Sequence, residues 1–194
     1  VDQAVVSTDD EDIAMAAESE GLAAPFRRPE SLSGDRIGDW DVLNHALLEM
    51  EQQNKTIYDI VVMLQPTSPL RTPMQVERTV QKLVEGNFDS VWTVSETDLK
   101  SHPLKQLTLS DDGSMGYFDP RGANIIARQQ LTPVYHRNGI AYALTRECIL
   151  TQRAIFGRKP SAVIVDEPMA NIDTKEDLEK AERLAASVSF PWLS

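Results

Sequence analysis

An α/β fold, a three-layer sandwich with a mainly parallel sheet covered by helices on both faces, is predicted by three features of this sequence. Short apolar runs alternate with segments of helical periodicity. Ile60 to Leu64 is an unbroken apolar run, the pattern of a strand covered on both sides. The polar stretch Glu96 to Tyr135 interrupts the rhythm once, and the rhythm then resumes. That order gives one layered domain over residues 1–194 carrying a β-rich excursion at 96–135.

The elements follow in order. Ala4 to Val6 reads as a short buried strand. Thr8 and Glu11 have capping-box spacing ahead of a helix that ends near Gly21. Pro25 to Asp35, rich in Pro, Ser and Gly, is a loop. Trp40, Leu43, Leu47 and Met50 recur at helical spacing. After the strand at Ile60 to Leu64, Val76, Val80, Leu83 and Val84 give a second helical face, closed by Gly86. Val91 to Val94 is the next strand. The excursion holds an Asp111-Asp112-Gly113 turn between short strand-like pieces. Ile140 to Leu144 and Ala162 to Val165 return to the sheet. Thr174 and Asp177 again have capping-box spacing, and Leu178, Ala181, Leu184 and Ala185 form the stripe of the last helix.

Composition narrows the function. Of 194 residues 41% are hydrophobic, and 19 basic against 30 acidic side chains give a formal net charge of −11. A nucleic-acid polymer needs clustered Lys and Arg and is not the expected partner. Cys148 is the only cysteine, which excludes an intramolecular disulfide and a paired-cysteine metal site. No apolar run reaches membrane-spanning length and no signal peptide opens the chain, so a cytoplasmic soluble protein is expected. Val1 is not a start methionine and stands close to the first apolar run, which reads as a sequence beginning inside a domain.

In open α/β sheets ligands bind beyond the C-terminal ends of strands. The informative segment is the one after Leu64, Gln65-Pro66-Thr67-Ser68-Pro69-Leu70-Arg71. Two prolines fix its backbone, so Gln65, Thr67 and Ser68 can be aimed at a ligand with little ordering cost; the plain alternative is a rigid turn. His45 lies on a helix face and reads as a packing residue. His102 and His136 have no partner at zinc-ligand spacing. The acids Asp9 to Asp12 suit a helix N-terminus better than a metal.

Six segments, in order, resemble the sialic-acid (acylneuraminate) cytidylyltransferases. Val6 to Ala14 resembles that family's second strand and helix, and Arg28 to Asp35 its Arg-Pro loop. Leu64 to Thr72 is similar to its signature loop, and His102-Pro103-Leu104-Lys105 to its His-Pro-x-Lys element. Arg128-Gln129, with Arg137 to Tyr142, resembles its Arg-Gln and Asn-Gly block. Asn171 to Leu178 is similar to its Asp-Ile-Asp ending. The resemblance implies a fold like that of nucleotide-diphospho-sugar transferases, with 96–135 as a dimerisation flap and a homodimer as the assembly.

The implied reaction is attack of the anomeric hydroxyl of a 2-keto sugar acid on the α-phosphate of CTP, with pyrophosphate leaving. The implied partners are CTP and an acidic sugar of the nine-carbon type; the implied cofactor is Mg²⁺. Carried over residue by residue, Asp173 and Asn171 stand at the metal position, with Asp173, Arg128 and Lys105 serving the reaction. Lys105 and Arg128 fall at the family's sugar-binding cations. Gln65, Thr67, Ser68, Asn138 and Arg137 fall on substrate. The sequence departs from the family twice. Asn171 replaces the first of two aspartates and brings no charge to a cation. The strand and glycine-rich basic loop with which the family opens are not found, so the expectation is an N-terminally incomplete domain. The rival reading is a non-catalytic sugar- or partner-binding remnant of the fold.

Overall fold

The computed structural model describes residues 1–34 and 36–187; Asp35, the end of the expected Pro25 to Asp35 loop, lies outside them. The chain forms two compact units. One comprises Val1–Met63, Val80–Val91 and Tyr142–Ser161, the other Leu64–Thr79, Trp92–Ala141 and Ala162–Ser194.

The first helix, α1 (Glu11–Ser19), is capped by Asp10, whose carboxylate accepts from the N–H groups of Asp12 and Ile13 at 2.8 and 3.0 Å. The expected Thr8 cap is displaced because Thr8 Oγ1 already accepts from Asp10 N–H. Gly21 follows the helix at φ +82°. Ala4 to Val6 does not form the expected strand. Val5 and Thr8 make single parallel bridges to Ala23 and Arg27. Between those two partners stands Pro25, which has no N–H to continue a ladder.

The helix α2 (Asp39–Asn54) buries Leu43, Leu47 and Met50, and the Trp40 indole N–H donates to the Ile149 carbonyl at 2.8 Å. Ile149 lies on α4 (Arg146–Leu150), a helix too short to show periodicity in the sequence. A bidentate pair from Arg146 to Glu51 at 2.7 and 3.0 Å ties the two helices. His45 packs edge-on against Phe26.

The strands β1 (Ile60–Met63), β2 (Ser90–Glu96), β5 (Tyr135–Thr145) and β6 (Pro160–Ile164) pair in the order β1-β5-β2-β6. β1 is antiparallel to β5, with Ile60 opposite Thr145 and Met63 opposite Tyr142. The α/β class stands, and the sheet is mixed rather than mainly parallel at this pair. The chain enters β5 from the long excursion, not from a crossover helix, so nothing forces a parallel return. β1 ends the strand order and is half-buried throughout, not enclosed on both faces. Central β5 has the deepest burial, from Asn138 to Leu144.

The helix α3 (Pro73–Glu85) buries Gln75, Thr79 and Leu83 at successive four-residue steps. The expected apolar face is rotated, leaving Val84 exposed. Thr79 is tolerated inside because its hydroxyl donates back to the Gln75 carbonyl at 2.7 Å. At its end Asn87, not Gly86, takes the left-handed conformation.

The excursion contains one antiparallel hairpin, β3 (Leu107–Leu109) and β4 (Met115–Tyr117), turning through Gly113 at φ +82°. Four short 3-10 turns surround it, at Leu99–Ser101, Pro103–Lys105, Pro120–Asn124 and Arg128–Gln130. The last helix, α5 (Lys175–Ser187), has the expected Thr174/Asp177 capping box, with Thr174 and Asp177 each accepting from the other's N–H. Its Ala181 is buried, while Leu178 is exposed. No described helix is long and apolar enough to cross a membrane.

Candidate active site

The site residues on the sheet side belong to one unit and are built around the loop that leaves β1. Gln65 N–H donates to the Gly139 carbonyl at 3.2 Å, which docks the loop on β5. The Gln65 carbonyl then accepts from Ser68 N–H at 3.1 Å and from the Arg71 guanidinium. Pro66 and Pro69 stiffen the chain between these bonds. The loop ends in a capping box at the start of α3, in which Thr72 and Gln75 exchange bonds of 2.8 and 3.1 Å. Gly139, at φ +73°, lets this happen. A Cβ there would lie 2.6 Å from both Gln65 Oε1 and Ser68 Oγ.

Ser68 and Asn138 were expected to meet substrate. In the structure both are buried and turned to the protein. Ser68 Oγ donates to the Asn138 carbonyl at 2.8 Å. The Asn138 side-chain oxygen accepts from the Thr93 hydroxyl at 2.6 Å and from Ile140 N–H at 3.2 Å. Its amide N–H donates to Ser95 Oγ at 3.1 Å. A buried amide so nearly saturated ties β5 to β2, while the Asn138 backbone carbonyl seats the loop. Thr93 and Ser95 were not singled out in the sequence. Their signal was available: two hydroxyl residues at i and i+2 share one face with Val91 on the strand. Gln65 and Thr67, on the same loop, are half-buried.

Asn171 and Asp173 reach this loop from the chain beyond β6. Ile172 N–H donates to the Thr67 carbonyl at 2.8 Å, and Asn171 Oδ1 lies 3.4 Å from Ser68 Oγ. The Asn171 amide N–H donates to Asp173 Oδ2 at 2.7 Å. Both side chains are exposed. Among the described residues no three His, Cys, Asp or Glu side chains stand together to hold an ion. The single exposed carboxylate of Asp173 nevertheless fits a magnesium ion that keeps its waters and arrives with phosphate oxygens, which asks little of the protein.

The remaining expected residues lie on the excursion and on β5. Lys105 and Arg128 are exposed, each on a 3-10 turn of the excursion, and no described carboxylate pairs with either. Arg137 is exposed on β5 with its guanidinium 5.6 Å from the centre of the Trp92 ring. Arg71 was quoted in the loop but given no role. Burial holds its guanidinium below the ordinary arginine value, and its Nε is buried without a described partner.

This arrangement defines a class. Solved structures with the same fold include a CMP:2-keto-3-deoxy-manno-octonic acid synthetase in complex with CTP, at TM-score 0.64 and 18% identity over 96% of this chain and 82% of that one. Another is the 4-diphosphocytidyl-2C-methyl-D-erythritol synthase of Anaerococcus prevotii, at TM-score 0.55 and 15% identity over 94% and 80%. The fold is that of the nucleotidyltransferases. The chain belongs to the cytidylyltransferase family, whose sequence profile matches residues 1–189. Relatives include the pseudaminic acid cytidylyltransferase of Campylobacter jejuni, 28% identical over 94% of this chain and 78% of its own length. The N-acylneuraminate cytidylyltransferase of Streptococcus agalactiae is 30% identical over 89% of this chain but only 40% of its own length.

Proposed function

We propose that this protein transfers the cytidylyl group of CTP to the anomeric hydroxyl of an acidic 2-keto sugar, releasing pyrophosphate and a CMP-sugar. The observation that carries the reading is the meeting of the Gln65 to Arg71 loop with Asn171 and Asp173 in a chain of the cytidylyltransferase family. The relatives named for pseudaminic and N-acylneuraminic acids support an acidic sugar as acceptor.

In this reaction the sugar oxygen forms a bond to the α-phosphorus, and the bond to the β-phosphate oxygen breaks with its electrons leaving on pyrophosphate. The hydroxyl proton passes to water. No covalent enzyme intermediate is needed, so positioning and charge neutralisation dominate. Gln65 and Thr67, on a loop stiffened by two prolines, orient the sugar. Ser68 and Asn138 hold that loop. Arg128 and Lys105 pair with the sugar carboxylate, the guanidinium as a two-pronged donor and the ammonium as a point charge. Asp173, which accepts from the Asn171 amide N–H, would hold magnesium, which would supply neutralisation of phosphate charge. The exposed apolar face of the β3/β4 hairpin supports a homodimer, and the need for CTP supports a cytoplasmic location.

The test is to incubate the full-length protein with magnesium, CTP and each of sialic, pseudaminic and legionaminic acids, following pyrophosphate release and CMP-sugar mass. One of these acids is expected to turn over. Lys105→Met and Arg128→Met should raise the KM for that acid far more than for CTP; a charge-assisted contact that the bound sugar shields from water is worth roughly 2–5 kcal/mol. Absence of product with every acid, or a rise in the KM for CTP alone, overturns the reading.

A further inference from the structure

We propose that His102 is a positioning residue for sugar recognition, a single imidazole that sets the two turns on which Lys105 and Arg128 stand. The inference rests on the reading that those cations bind the sugar acid.

His102 is only 2% exposed. Its Nδ1 accepts from Leu104 N–H at 3.1 Å, and its Nε2 lies 3.1 Å from the Thr132 carbonyl oxygen. An amide N–H can only donate and a carbonyl can only accept. Both bonds therefore form together only in the neutral ring that carries its proton on Nε2.

Each bond fixes a different turn. The Nδ1 bond caps the 3-10 turn Pro103–Lys105, and Lys105 N–H donates to the His102 carbonyl at 2.8 Å. The Nε2 bond reaches the segment that follows the turn Arg128–Gln130. There Leu131 is buried and its N–H donates to the Arg128 carbonyl at 3.1 Å. That second turn is braced by Gln130, whose Oε1 accepts from the N–H groups of Ile126 and Ala127 at 2.8 Å each. The first turn is braced by Gly122, buried against the Leu104 carbonyl so closely that any Cβ would collide with it.

Two exposed cations with no described carboxylate partner thus stand on backbone held by one buried ring. In a chain of net charge −11, unpaired cations on stiff supports are placed for an anion from solution. A fixed support lowers the ordering cost of binding that anion. Capping one turn needs only Nδ1. The second bond, from Nε2 to Thr132, adds the link between the two cation-bearing turns.

Isosteric variants separate the bonds. His102→Asn can keep an acceptor at the Nδ1 position but cannot reach Thr132. His102→Gln can reach Thr132 but does not reproduce the ring's acceptor at Nδ1. His102→Phe removes both. In steady-state assays of the full-length protein, His102→Phe should raise the KM for the sugar acid roughly tenfold or more. Asn and Gln should raise it less, and the KM for CTP should stay unchanged in all three. On a Lys105→Met background His102→Phe should add less than it does in the parent protein, because the two act on one contact. Nitrogen NMR of the imidazole at neutral pH should show the proton on Nε2. A proton on Nδ1, or an equal rise in both KM values in all three variants, overturns the proposal. So does an unchanged sugar KM in all three while Lys105→Met and Arg128→Met raise it. If Lys105→Met and Arg128→Met themselves leave the sugar KM unchanged, the underlying reading fails, and that result is distinct from the others.

Discussion

Asp173 and Asn171 are two residues apart and make unequal contributions to a cation. The carboxylate of Asp173 brings charge, and one of its oxygens accepts from the Asn171 amide. Asn171 brings an oxygen without charge, directed at Ser68. If a magnesium ion enters with CTP, Asp173 is the protein's anionic ligand. Asp173→Asn should lower kcat by roughly 100-fold or more, since several kcal/mol of charge stabilisation are lost. Asn171→Asp sets a second carboxylate beside the first and should lower the magnesium concentration needed for half-maximal rate. A magnesium titration of both variants checks the pair, and unchanged dependence in both removes them from the site.

At the scale of elements, the junction of β5 with the loop after β1 depends on a residue with no side chain. Gly139→Ala puts a methyl group 2.6 Å from the side chains of Gln65 and Ser68 at a φ of +73°. The left-handed conformation alone costs a non-glycine residue roughly 1–2 kcal/mol, and the collision must displace the loop as well. Denaturant unfolding should show that loss, and the KM for the sugar acid should rise because Gln65 moves. A variant as stable and as active as the parent would show that the loop does not need its close seat on β5.

The junction of α2 and α4 has a pH dependence of determined sign. The Arg146 guanidinium, against some burial, holds the Glu51 carboxyl below its ordinary value of 4.5. A carboxylate depressed in the folded state stabilises it above the unfolded pKa, and that stability is lost as pH falls through the lower folded pKa. Between pH 7 and the region below 4.5 the parent should therefore lose more stability than Glu51→Gln. Thermal unfolding of both proteins across that range checks it, and parallel curves would show that the pair is not coupled to folding.

For the whole molecule the open issue is assembly. The β3/β4 hairpin exposes Leu107, Leu109, Met115 and Tyr117, with Phe118 next in the chain. A hairpin this short does not fold stably in isolation, and a contiguous apolar surface marks a contact. That surface is where the proposed homodimer would form. Leu109→Lys with Met115→Lys should convert a dimer to a monomer in sedimentation velocity while leaving the far-ultraviolet spectrum unchanged. A parent protein that is monomeric at all micromolar concentrations would remove the dimer.

The α/β class was visible in the order of apolar runs and helical stripes, because burial periodicity is a local property of the chain. So were the caps at Thr174 and Asp177 and the loop at Gln65 to Arg71, whose prolines and short polar side chains carry their own geometry. Several features were decided elsewhere in the chain. Ala4 to Val6 is apolar enough for a strand, but Pro25 in the segment that meets it allows only bridges. α3 buries Gln75 and Thr79 rather than Val84, since a side chain that satisfies its own polar atoms can be buried in place of an apolar one. Asn138 and Ser68 looked like ligand contacts and are buried in hydrogen bonds to the protein, because Ser68 meets the Asn138 carbonyl, and the Asn138 side chain meets Thr93 and Ser95, across elements distant in the chain. The role of His102 depends on Thr132, 30 residues away. Sequence patterning reports what each segment wants to bury. Which polar atoms then find one another is set by long-range contacts, and only the folded chain brings those together.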